Sequence, residues 1–311
     1  MLNGIFLLDT ASYPLIYSQS QREEIERLVH IYAPQQTIAS VAAHPEILAQ
    51  ADVIFSGWGM ATMDEQFLKA APRLKAVFYG AGSIRGLVTE ALWERGIPIV
   101  SAYAANAVPV VEWTLAQIFF GLKRGWYYVT TIKKDKKYPP RGYVPGGNGS
   151  TVGLISLGMI GRMVAKRLQS FDVKVIAYDP FATAEEAAAL KVELCSLPEV
   201  FRRGDVVSLH TPWLKETEGM ITGEHIASMK PDAVFINTAR GAVVREAEMI
   251  QVLQQRPDLY AVLDVTHPEP PEEGSPLFTL PNVILTPHIA GAMNMECQRM
   301  RYRGERVKTL P

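Results

Sequence analysis

Short apolar runs alternate with amphipathic stretches along almost the whole chain, and that alternation leaves few architectures open. In the N-terminal third, strands are expected at residues 5–8, 37–41, 53–56, 76–79 and 97–101, with helices near 21–31, 64–70 and 88–95. Strands separated by helices of this length build βαβ units and a parallel sheet. A second series begins at Thr151, with strands expected at 152–156, 173–178, 206–210, 233–237, 259–264 and 283–286. Six strands with intervening helices fit a doubly wound nucleotide-binding domain.

A longer helix is expected from Pro109, because Val111, Leu115, Ile118, Phe119 and Leu122 share one apolar face. Pro109 suits its first turn and Glu112 the positive end of its dipole. Residues 138–149, rich in proline and glycine, read as a loop. A chain of 311 residues is too long for one typical core. A short helical pattern after Ala290 is expected to pack back on the first domain, so that domain draws on both ends of the chain. The expectation is therefore an α/β protein of two doubly wound parallel-sheet domains, 1–102 with 291–311, and 103–290.

With 31 basic and 32 acidic residues, the net charge of −1 gives no general electrostatic reason to bind nucleic acid or an anionic membrane. The basic run Lys133-Lys134-Asp135-Lys136-Lys137 reads as a solvated helix end. Cys195 and Cys297 make neither a disulfide framework nor a metal-ligand spacing, so no metal is expected. The N-terminus has no basic leader, and no stretch approaches the ~20 consecutive apolar residues of a membrane span. A cytoplasmic protein is expected.

The segment Val152-Gly153-Leu154-Ile155-Ser156-Leu157-Gly158-Met159-Ile160-Gly161-Arg162 reads as strand, tight turn and helix start. Gly158 would let the backbone approach a pyrophosphate, and Gly161 would allow close packing of helix on strand. Amide groups at a helix N-terminus favour the phosphate charge. Asp179 stands at a strand end 21 residues beyond Gly158. That is close to the roughly 20-residue spacing of a ribose-binding acid, which favours NAD over NADP. Ser156 departs from the pattern, standing where its first glycine belongs.

Three polar residues follow further strands. Arg240 lies in Asn237-Thr238-Ala239-Arg240-Gly241, Glu269 in a proline-rich loop after Asp264, and His288 in Thr286-Pro287-His288. Ligands of open α/β sheets bind outside the carboxyl ends of strands, so all three would face one crevice. Their types suit a 2-keto acid. A guanidinium holds a carboxylate through two parallel hydrogen bonds. An imidazole exchanges a proton with the carbonyl oxygen as hydride moves at C2, and a neighbouring carboxylate orients the ring and favours its protonated form.

With these residues the chain resembles the D-isomer-specific 2-hydroxyacid dehydrogenases, most strongly over residues 151–291. The resemblance implies a Rossmann NAD-binding domain inserted in a flavodoxin-like substrate domain, joined by an N-terminal dimerisation helix. It implies that Arg240 binds the substrate carboxylate, His288 is the acid/base and Glu269 its partner. It also places Asp264 at the nicotinamide, His210-Thr211-Pro212 at the adenosine, Met159 and Ile160 at the pyrophosphate, and Thr238 and Ala239 along the cofactor. In the first domain Gly80-Ala81-Gly82 looks like the loop whose amides receive the substrate carboxylate. Trp126-Tyr127-Tyr128 follows the helix that relatives use to form homodimers, with the chain's own core as the other reading.

The departures are Ser156, the lead-in Asn148-Gly149-Ser150, Met293 where threonine is common, and a short C-terminus with a minimal final helix. None removes a catalytic group. The activity implied is hydride transfer between NAD and C2 of glyoxylate, hydroxypyruvate, pyruvate or a similar acid. Phosphite and phosphoglycerate oxidation stay open, as does an NAD-responsive corepressor. An amide at the acid's position marks formate dehydrogenases, and Glu269 argues against that branch.

Overall fold

The computed structural model of the chain describes residues 1–301 and 305–306. Two compact units result, Met1–Val108 with Ala292–Pro311, and Pro109–Gly291. The first junction falls inside the helix Tyr103–Leu122 rather than before it.

The first unit contains β1 (Leu2–Leu7), β2 (Val29–Ile31), β3 (Val53–Ser56), β4 (Ala76–Tyr79) and β5 (Ile99–Ser101). They form a parallel sheet in the order β5-β4-β3-β1-β2, with Glu305–Arg306 antiparallel on the β5 edge. Strand order reverses between β1 and β3, which makes their carboxyl ends the switch point of the sheet. Leu7 pairs with Ser56, Ser56 with Tyr79 and Tyr79 with Ser101, so the carboxyl ends lie level. Both faces are covered, as parallel sheets require. Ile5, Leu7, Ile54, Val77 and Ile99 are buried in one core cluster, and Phe6, Leu8, Val53 and Phe55 in another. Ala292, Cys297 and Met300 join the second cluster, so the C-terminal segment completes this unit.

Two expectations fail here for a physical reason. Residues 37–41 are not a strand; the helix Ile38–Ala43 occupies them. The β-branched content invites a strand, but Thr37 and Ser40 cap each other's backbone: Thr37 N–H donates to Ser40 Oγ at 2.9 Å and Ser40 N–H to Thr37 Oγ1 at 3.3 Å. The helix expected to reach Ile31 stops at Leu28, because Val29–Ile31 pairs with β1 as an edge strand.

The second unit carries β6 (Thr151–Ile155), β7 (Lys174–Tyr178), β8 (Val192–Leu194), β9 (Val206–Leu209), β10 (Val234–Asn237), β11 (Tyr260–Leu263) and β12 (Val283–Leu285). All are parallel, in the order β12-β11-β10-β9-β6-β7-β8. β8 is the strand the sequence reading omits; it spans three residues at the sheet edge, too few for a period to register.

The long helix begins at Tyr103, six residues ahead of Pro109, which sits inside it. The alanine-rich start favours helix strongly enough to absorb the one backbone bond that proline removes. By length and composition this helix could cross a membrane. Its apolar face is instead taken up by protein: Val111, Ile118 and Leu122 are buried with Val152, Val206 and Val234. Trp126 and Tyr127 pack against the same cluster, with Trp126 Nε1 donating to Gln117 and the Arg124 guanidinium over the Tyr127 ring. Residues 138–149 hold no helix or strand, as expected. The final helical pattern is a 3-10 stretch, Asn294–Arg301; residues 302–304 and 307–311 lie outside the described ones.

Candidate active site

At the carboxyl end of β6 the chain turns sharply into the helix Met159–Leu168. Ser156 adopts φ +77°, a left-handed conformation that glycine reaches without strain. Its hydroxyl lies 2.8 Å from that of buried Thr211, an anchor no glycine could make. A side chain on Gly161 would overlap the Ser156 carbonyl, so the helix can approach the strand only with glycine there. Gly158, at the N-cap, has open space where a Cβ would stand. Arg162 N–H is the first to bond back, to Gly158 O at 2.9 Å, which leaves the amides of Met159, Ile160 and Gly161 at the positive end of the helix.

Asp179 follows β7 and is wired into this turn. Its Oδ2 accepts Leu157 N–H at 2.7 Å, and its Oδ1 accepts Phe181 and Ala182 N–H at 2.8 and 2.9 Å. Three amides occupy three of the roughly four acceptor positions of a carboxylate, so capacity and charge for one hydroxyl remain. After β9, His210 N–H bonds to Ile155 O, and the imidazole Nε2 is buried without a partner among the described residues. Burial pushes the ring down to about 4, so it is neutral at physiological pH. An open glycine N-cap, unpaired helix amides, a strand-end carboxylate and an orphaned imidazole nitrogen together fit a dinucleotide. Thr238 is buried, 3.2 Å from the Thr114 hydroxyl.

The catalytic candidates occupy consecutive strand ends, since β10 pairs with β11 and β11 with β12. At the end of β10, buried Asn237 shapes the turn twice, accepting Ala239 N–H at 3.0 Å and donating to Arg240 O at 3.1 Å. Arg240 Nη1 donates to Ala239 O at 2.6 Å. A Cβ on Gly241 would overlap the Thr266 backbone, so this turn lies directly against the loop that carries Glu269. His267 N–H donates to Glu246 at 3.0 Å and Thr266 Oγ1 to Pro268 O at 2.8 Å, which ties that loop down. Desolvation raises the Glu246 carboxyl above its ordinary range, and the bond from His267 opposes that rise.

His288 Nδ1 stands 2.6 Å from Glu269 Oε1. The pair is half exposed. Asp264 holds the backbone beneath it. Its carboxylate accepts Thr286 Oγ1–H at 2.6 Å and the N–H groups of Ile289 and Ala290 at 2.9 Å, while its carbonyl accepts His288 N–H at 3.0 Å. The resemblance places Asp264 at the nicotinamide; in the structure its carboxylate also clamps the His288 loop. Asn237, Glu246 and Thr286 carry no motif of their own, and only the fold discloses their bonds.

In the first unit, Gly80-Ala81-Gly82 follows β4. Ser101 Oγ is within bonding distance of both the Ala81 and Gly82 carbonyls, at 2.9 and 2.6 Å. With the carbonyls turned inward, the N–H groups of Ala81 and Gly82 bond to no acceptor among the described residues.

Two parallel α/β units, one with a dinucleotide turn and an Arg, Glu and His on adjoining strand ends, define a nicotinamide-dependent class of protein. The family model for the NAD binding domain of D-isomer specific 2-hydroxyacid dehydrogenases matches residues 117–290. D-3-phosphoglycerate dehydrogenase of Mycobacterium bovis is 35% identical over 76% of this chain and 44% of its own length. The chain thus spans less than half of that relative. (S)-sulfolactate dehydrogenase of Chromohalobacter salexigens is 35% identical over 77% of this chain and 78% of its own. A D-lactate dehydrogenase from Aquifex aeolicus, solved with NAD and lactic acid, superposes with a TM-score of 0.73 at 26% identity, covering 96% of this chain and 92% of that one. The chain belongs to the D-isomer specific 2-hydroxyacid dehydrogenases, and its cofactor is NAD.

If Asp179 makes the choice of nucleotide, Asp179→Ser is expected to shift the NADH-to-NADPH preference toward NADPH by roughly tenfold or more. Fluorescence titration of both nucleotides checks this, and an unchanged ratio would assign the choice to another group.

Proposed function

We propose that the protein reduces a small 2-keto acid, such as glyoxylate, hydroxypyruvate or pyruvate, to the D-2-hydroxy acid, and catalyses the reverse oxidation. The observation that carries the reading is the 2.6 Å contact between His288 Nδ1 and Glu269 on a loop clamped by Asp264. NADH, when bound, supplies the hydride that arrives at C2. Arg240 pairs with the substrate carboxylate and polarises the adjacent carbonyl. His288 gives the proton on Nε2 to the carbonyl oxygen, and in oxidation takes it back. Glu269 fixes the ring through Nδ1 and stabilises its positive charge.

The relatives act, by name, on phosphoglycerate, sulfolactate and lactate. Two of those acids carry a second anion and one does not, so family membership leaves the tail of the acid open. The test is the loss of NADH absorbance with a panel of 2-keto acids. Turnover of at least one is expected. Tight NADH binding with no turnover of any acid would overturn the proposal in favour of a nucleotide-sensing role.

A further inference from the structure

The segment that carries Glu269 is held from two sides, and neither hold is made by a catalytic residue. It leaves β11 as Asp264-Val265-Thr266-His267-Pro268-Glu269-Pro270. Prolines at 268 and 270 have no N–H, so the only amides that can fasten the backbone around Glu269 are those of His267 and Glu269 itself. The His267 amide is taken, donating to Glu246 Oε2 at 3.0 Å. Glu246 opens the helix Glu246–Gln255, six residues after Arg240 on the segment that follows β10. That segment meets the loop once more at Gly241, where an added Cβ would stand 2.6 Å from His267 N.

Glu246 is half buried, and desolvation penalises its charge. Among the described residues no lysine or arginine pairs with it; neighbouring Arg245 turns to Glu248 instead, at 3.1 Å. The charged groups that face it are the His267 imidazole, which favours its ionised form when it carries a proton, and the Glu272 carboxylate, which opposes it. Its favourable contact is the charge-assisted bond from the loop amide. The second hold is on the His267 side chain, whose ring meets that of Trp213 edge-on with centroids 5.3 Å apart. Trp213 is itself pinned, its Nε1 donating to Glu218 at 2.9 Å. Around it, Thr217 Oγ1 accepts Leu214 N–H at 2.8 Å and donates to Pro212 O at 2.6 Å. Backbone and ring of His267 are thus held by two different segments, and Glu269 follows two residues later.

We propose that Glu246 is a positioning residue: through His267 N–H it fixes the segment that places Glu269 against His288, with Trp213 bracing the His267 ring. The inference rests on the keto-acid reading above, which gives Glu269 its role. Glu269 reaches His288 from a half-exposed loop, at 2.6 Å. A displacement of about 1 Å at such a contact costs up to about 10²-fold in rate. An acceptor that stops the loop moving therefore acts on the proton step, and leaves binding of the acid and of NADH to other residues.

Glu246→Ala is expected to lower kcat for keto-acid reduction by about 10- to 100-fold, with KM for the acid and NADH affinity within about threefold of wild type. Glu246→Gln keeps an oxygen that accepts His267 N–H and should hold kcat within about threefold of wild type. Glu246→Asp keeps the charge but withdraws the oxygen by one methylene, so it should lose about fivefold or more, and it carries the test if the alanine variant does not fold. Action through Glu269 has a signature that general damage to the fold lacks. In a Glu269→Ala background nothing is left to position, so adding Glu246→Ala should cost less than about threefold. A full second loss in the double variant, a glutamine variant no better than alanine, or wild-type kcat in both the alanine and aspartate variants would overturn the proposal. A second measurement needs no turnover. Trp213 is one of five tryptophans, and its emission is isolated by difference against Trp213→Phe. Release of the His267 loop is expected to change that emission in Glu246→Ala and not in Glu246→Gln. That pattern without turnover of any keto acid by the wild type would remove the proposed reaction and keep Glu246 as the anchor of the loop. Unchanged emission in Glu246→Ala would remove the anchor.

Discussion

Replacing His288 by asparagine is expected to lower kcat/KM for keto-acid reduction by about 10²–10⁴-fold, the span a positioned acid/base contributes. Asparagine is the informative replacement because residue 288 has φ +56°, a left-handed conformation that asparagine tolerates better than most side chains. The loop should therefore keep its shape. Asp264 holds that loop entirely through groups outside the 288 side chain: its bonds go to the Thr286 hydroxyl and to the N–H groups of His288, Ile289 and Ala290. Loss of the imidazole thus removes the proton and leaves the scaffold. NADH binding, followed by fluorescence titration, should persist, because the glycine turn and Asp179 lie at the carboxyl ends of β6 and β7, away from the His288 loop. Activity within about threefold of wild type would remove His288 from the proton's path, since so small a change is well below the contribution of a general acid.

The parts legible in the sequence share one property: their signals are local. Val53–Ser56 and Ala76–Tyr79 are strands as expected, because each apolar run is bounded by residues that end it. The turn at Gly158 and the acid at Asp179 are set by spacing along one βαβ unit. Signals that depend on a distant partner were not legible. β8 exists only because β7 offers an edge, whereas Thr37 is missed although its capping partner Ser40, three residues on, is a local signal. The resemblance gives Asp264 a place at the nicotinamide; its further role as a clamp comes from β12 lying beside β11. Polar residues without a motif take their roles from topology, and topology is what a local pattern cannot carry.

Arg240 yields the second large effect. Arg240→Ala is expected to lower kcat/KM for the same acid by roughly 30- to 3,000-fold, the equivalent of about 2–5 kcal/mol for removing one partner of a desolvated, hydrogen-bonded charge pair. The turn itself should survive. Asn237 shapes it through the backbone of Ala239 and Arg240, and Gly241 seats against Thr266 through backbone as well, while the guanidinium contributes the bond from Arg240 Nη1 to Ala239 O. The loss should fall on keto-acid turnover while NADH titration stays near wild type. Arg240→Lys separates charge from shape. A lysine restores a point charge without the planar fork, so it should recover only part of the rate if the carboxylate is held by two parallel bonds. Full recovery with lysine would mean that charge alone suffices, and unchanged turnover in Arg240→Ala would mean that the carboxylate is held elsewhere.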